Sequence, residues 1–99
     1  MRTLFAVIRT TGPAWDHAKP LRAQNAWTEH AGFMDELAER GFVVLGGPLG
    51  DSDDVLLAVD AASEEEVSAT LARDPWSRTG MLTTSSVRPW NILLEAKHA

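Results

Sequence analysis

The stretch Phe42-Val43-Val44-Leu45-Gly46-Gly47-Pro48-Leu49-Gly50-Asp51-Ser52-Asp53-Asp54-Val55-Leu56-Leu57-Ala58-Val59 decides the fold. It holds two apolar runs, Phe42 to Leu45 and Val55 to Val59, that read as strands. The connection between them is rich in Gly, Asp and Ser and too short for a crossover helix, so the two strands pair antiparallel. Gly46-Gly47-Pro48 closes the first of them.

Helical patterns lie on both sides of this hairpin. Upstream, Trp27, His30, Met34 and Leu37 recur at steps of three and four, which puts them on one face of a helix from about Leu21 to Arg40. Phe33 broadens that face, and Gly41 ends the helix. Downstream, Ser63 with Glu66 forms a capping box, and a helix is predicted from Glu64 to Arg73 with Val67, Thr70 and Leu71 inward. Asp74-Pro75 stops it, because a residue before proline avoids helical geometry. Trp76 to Gly80 then reads as a short irregular piece.

The outermost segments complete the pattern. Thr3 to Arg9 is a first strand, ended by Thr10 to Pro13, and Met81 to Arg88 is a fourth. Pro89-Trp90 interrupts it, and Asn91 to Ala96 is read as a short terminal strand. The order βαββαβ is the ferredoxin-like α+β arrangement, with a four-stranded antiparallel sheet carrying both helices on one face. One domain accounts for residues 1–99.

Composition narrows the function classes. The net charge of −5 and nine scattered basic residues give no field for nucleic acid. The absence of cysteine excludes disulfide and thiolate chemistry and fits a cytoplasmic protein. No apolar run approaches the roughly 20 residues of a membrane span, and the first nine residues read as strand rather than leader. A sheet face left without helices in so short a chain points to a homodimer.

His30 and Asp74 are the candidate catalytic residues. His30 sits on the apolar helix face, where a buried imidazole needs partners for its nitrogens. Asp74 lies where the chain leaves the second helix, on the same side of the sheet. A carboxylate beside an imidazole fixes its tautomer and favours the charged form, which suits general acid–base work. The competing readings are a core histidine satisfied by a carbonyl and an aspartate that merely ends a helix. Four tryptophans are many for this length. Core packing is the competing reading and accounts best for at least two of them; Trp27 and Trp76 are favoured as pocket walls with Met34, and Trp15 as a lid residue. Ser86, in the fourth strand, is a candidate hydrogen-bond donor to the pocket.

Other polar clusters carry less. Asp16-His17 with His30 matches no metal-ligand spacing, and Asp51, Asp53 and Asp54 lack the pattern of a calcium loop. Gly46-Gly47-Pro48 lacks the helix that a phosphate loop needs. His98 lies at the extreme C-terminus. No cofactor and no metal are expected.

Four segments in order carry a family resemblance: Trp27-Thr28-Glu29-His30-Ala31-Gly32-Phe33-Met34-Asp35-Glu36-Leu37, Gly46-Gly47-Pro48-Leu49, Asp74-Pro75-Trp76 and Arg88-Pro89-Trp90. Together they resemble the YCII-related (YciI-like) family. The resemblance implies a dimeric α+β barrel in which two sheets face each other, and a pocket holding a His–Asp pair at His30 and Asp74. Many members carry Arg three residues before the His, where this chain has Trp27. That departure shifts the expected ligand from an anion toward a flat aromatic molecule. The implied function is a cofactor-free enzyme, of lyase, isomerase or cyclase type, moving a proton on a small cyclic or aromatic metabolite. A non-enzymatic small-molecule-binding or accessory dimer is the alternative.

Overall fold

The computed structural model describes residues 2–96, so His98 lies outside the described residues. Strand β1 (Arg2–Thr11) leads through a 3-10 turn (Leu21–Ala23) into helix α1 (Trp27–Glu39). Strands β2 (Val43–Pro48) and β3 (Val55–Val59) form the expected hairpin. Helix α2 (Glu64–Leu71), the single-turn helix α3 (Pro75–Arg78) and strand β4 (Leu82–Ile92) follow. The four-stranded sheet has the order β2-β3-β1-β4, antiparallel at every junction.

Both connections that cross the sheet bury their apolar stripes against one face. Phe5 and Val7 of β1 pair with Val59 and Leu57 of β3, and all four meet Leu37, Val67 and Leu71 of the helices in the main core. Each such buried Leu or Val contributes roughly 1.5–3 kcal/mol of apolar transfer. The opposite face presents Ala6, Ile8, Leu56 and Trp90, and no helix lies over it among the described residues.

The structure corrects several boundaries. The first helix begins at Trp27 instead of Leu21, because the buried Gln24 side chain engages the preceding loop and Ala26 takes a left-handed backbone (φ 61°). Gly46-Gly47-Pro48 belongs to β2 instead of closing it. A Cβ at Gly46 would stand 2.7 Å from Leu57 Cδ2, so any side chain here would have to push aside a buried leucine methyl of β3. Pro89 does not interrupt β4, which runs on to Ile92; β4 is an edge strand, where a missing N–H need not cost a ladder bond. Residues 93–96 are not strand. Trp76 to Arg78 is helical: Asp74 accepts from Trp76 N at 3.0 Å and Pro75 fills the first position, so the pair that stops α2 also starts α3.

Candidate active site

The site forms where α1, α3 and the end of β1 converge. Asp74, wholly enclosed, is its centre. His30 Nδ1 lies 3.0 Å from Asp74 Oδ1 and 2.9 Å from Oδ2, so one N–H is shared between both oxygens. Arg9 Nη1 donates to Oδ2 at 2.8 Å, and Arg9 Nη2 donates to Ser77 Oγ. The Trp76 backbone N–H donates to Oδ1. A carboxylate only accepts, so Nδ1 carries a proton in this pair, and whenever the ring is neutral its Nε2 keeps the lone pair.

Aromatic rings hold the imidazole in place. His30 stacks on Trp76 with centroids 3.9 Å apart and planes 6° from parallel. Trp27 leans on both rings, and Trp15 meets Trp76 edge to face at 5.4 Å. The Trp76 indole N–H donates to Asn25 O at 2.7 Å, which fixes the ring that supports His30. The His30 side chain is 12% exposed, so the ring is confined yet reachable.

Electrostatics favour an ionised Asp74. Burial alone pushes its carboxyl up. The hydrogen bonds from His30, Arg9 and the Trp76 N–H, with the attraction of His30 whenever it is protonated, outweigh burial and hold it below the usual carboxylate range.

His30 opens onto a cavity of about 570 Å³, within the range of small-molecule sites. Trp15, Trp27, Met34 and Trp76 line it, together with Arg9. Its far wall is the β2 segment from Val43 to Pro48, where Gly46 and Gly47 add no side chain. Among the described residues no group of three or more His, Cys, Asp or Glu is placed to hold a metal ion.

Ser86 is not brought to this cavity. The alternation Leu82, Thr84, Ser86 would put it there, but the β1–β4 register shifts between Ile8 and Arg9. Thr84 pairs with Arg9, Ser86 pairs with Ile8, and Ser85 is left as the extra residue, its Oγ donating to Ile8 O. A one-residue slip turns every later side chain over, so Ser86 shares the helix-free face with Ile8. Trp15, read as a lid residue, lines the cavity. Gln24 Nε2 donates to Asp16 O and Lys19 O, and Gln24 Oε1 accepts from Asp16 N, which ties down the loop beside it.

Two members of the site were missed in the sequence. Arg9 looks like the charge that closes a strand, yet Phe5, Val7 and Arg9 alternate onto the core face, and that period was the available signal. Ser77 gave no such signal, since its segment was read as irregular.

The chain matches the model of the YCII-related domain over residues 3–91. Among curated proteins none matches it. A solved structure, 5-chloro-2-hydroxyhydroquinone dehydrochlorinase from Burkholderia phenoliruptrix in complex with 2,5-dihydroxybenzoquinone, superposes with a TM-score of 0.62. The alignment covers 96% of this chain and 97% of that one at 20% identity, a likeness of fold. Among the described residues no helix is long and apolar enough to cross a membrane.

Proposed function

The chain belongs to the YCII-related domain family, and from that membership we propose that it is a small cofactor-independent enzyme using His30 and Asp74 for proton transfer on a small cyclic or aromatic metabolite. The observation that carries the reading is the paired geometry: Asp74 grips Nδ1 of an imidazole whose ring opens onto an apolar cavity. Nε2 accepts a proton from an acidic C–H or O–H of the bound ring. Asp74 orients the imidazole and stabilises the imidazolium that forms. If a leaving group sits on the neighbouring carbon, the released electron pair expels it and the step is an elimination. If the proton is returned at another carbon, the step is an isomerisation. Trp15, Trp27, Met34 and Trp76 shape the cavity for a flat ring. The fold relative was captured with a dihydroxybenzoquinone, which makes hydroxylated quinones and halogenated hydroquinones the first compounds to screen.

The active form is a homodimer in which a second copy covers the helix-free sheet face. The apolar Ala6, Ile8, Leu56 and Trp90 on that face support this arrangement.

The test is steady-state turnover on that panel. His30→Ala lowers kcat/KM by about 10²- to 10⁴-fold, the usual weight of a general base. Asp74→Asn lowers it by a smaller factor, through loss of orientation. Full turnover in both variants would defeat the reading. Saturable binding of a ring compound with no turnover in the wild type would replace it with a small-molecule-binding role.

A further inference from the structure

Asp74 is shared between two cationic partners, and this bears on the charge His30 carries. Arg9 Nη1 and His30 Nδ1 both touch the same oxygen, Oδ2, so they lie within about 6 Å of each other. Arg9 is 1% exposed and Asp74 not at all, so neither charge is screened by water. Charged groups near the same cavity include Arg22 of the 3-10 turn, which sits over Trp27, and Asp53 of the β2–β3 loop and Asp35 of α1, which line it. All three are exposed, and solvent damps them. The balance at the imidazole is therefore set by one buried cation and one buried anion.

The geometry points to Arg9 as a positioning residue of this site, whose charge cancels that of Asp74 at His30, so that the ring meets a ligand uncharged and ready to accept a proton. This rests on the proton-transfer reading above and adds a direction to it. Without Arg9, Asp74 and His30 would form an ion pair, and the site would present a standing imidazolium. With Arg9, the carboxylate already has its cation. It orients Nδ1 through a shared hydrogen bond without drawing a second positive charge onto the ring. Arg9 also fixes the carboxylate in space, because its other terminal nitrogen is tied to Ser77, which in turn donates to Leu71 O. The ligand class that fits is an uncharged ring with a weakly acidic proton, such as a hydroquinone or its keto tautomer. Arg9, the buried cation of the cavity wall, already has both terminal nitrogens engaged by Asp74 and Ser77, so a preformed anion would find only its Nε–H without a partner.

The test reads the His30 ring directly, by ¹⁵N-detected imidazole spectra at pH 7, and needs no substrate. Arg9→Gln raises the imidazolium-to-imidazole ratio about tenfold, the effect of one ordinary charge coupling. Arg9→Lys, which keeps the charge and loses the Ser77 contact, stays near the wild-type ratio. Asp74→Asn lowers the ratio. The double variant Arg9→Gln with Asp74→Asn returns it to the wild-type value. That variant leaves no unpaired buried charge, so it decides the matter even if Arg9→Gln alone does not fold. A double variant that stays at the Asp74→Asn ratio overturns the role of Arg9 and leaves the His30–Asp74 pair standing. If Asp74→Asn changes neither the ratio nor the Nδ1–H tautomer, the pair itself fails, and the proton-transfer reading with it.

Discussion

Asp74 holds its negative charge in a place where water cannot reach it. Its carboxyl lies below the usual range, because the bonds from His30, Arg9 and the Trp76 N–H outweigh the opposing effect of burial. Such a group ties stability to pH in a definite direction. An unfolded Asp titrates near about 3.9. With the folded value lower, the stabilisation is complete above that pH and is lost as pH falls through the folded value. Asp74→Asn should therefore be less stable than wild type at pH 7, by about 3–5 kcal/mol, since Arg9 is left as an uncompensated buried charge. The gap should narrow as the pH is lowered below about 4, where the wild type loses the same interaction. Urea unfolding of both proteins from pH 7 to pH 2.5 measures it. A gap of constant size across that range would contradict the assignment of an ionised, depressed Asp74. Arg9 is the residue whose importance was least legible beforehand. Its place in the strand was readable from the alternation of Phe5, Val7 and Arg9, but its partners come from a segment 65 positions away. No local pattern announces such a contact.

The loop between β1 and α1 behaves as a built element. Gln24 is 3% exposed and spends all of its amide on the turn from Asp16 to Lys19. The next residue, Asn25, supplies the carbonyl that fixes Trp76. Gln24→Ala should cost about 1–3 kcal/mol, the penalty for leaving buried backbone groups unmet. It should also loosen Trp15, red-shift tryptophan emission and weaken ligand binding. Thermal unfolding and binding of a ring compound, measured together, test this. Loss of stability with unchanged affinity would show that the loop does not shape the cavity. The helical stripe from Trp27 to Leu37 and the capping box at Ser63 were readable from the sequence, and Ser63 Oγ does accept from Glu66 N. The start of α1 was not, because it depends on a side-chain amide bonded to backbone eight residues earlier. Ser86 went to the wrong face for a related reason. A bulge costs nothing that composition reveals, yet it inverts the face of every residue beyond it.

At the scale of the whole molecule, the order βαββαβ was readable because one short connection admits no crossover helix, and that constraint fixes the remaining topology. The uncovered apolar sheet face carries the remaining expectation. Leu56 pairs with Ile8 on that face, away from the side that holds His30 and its cavity. Leu56→Lys should convert a dimer to a monomer in light scattering while far-ultraviolet dichroism stays near wild type. A monomeric wild type would remove the homodimer from the proposal. The division of labour across the fold also bears on descent. Asp74 starts a helix, neutralises a buried arginine and grips the imidazole, so a change there damages folding and chemistry together. The cavity is also lined by exposed positions of an edge strand and its loop, such as Leu45 and Asp53, where a change meets the ligand with little cost to the core. A lineage built this way can exchange one ligand for another by altering the exposed positions of β2 and its loop, while selection for a folded chain keeps Asp74 and its partners in place.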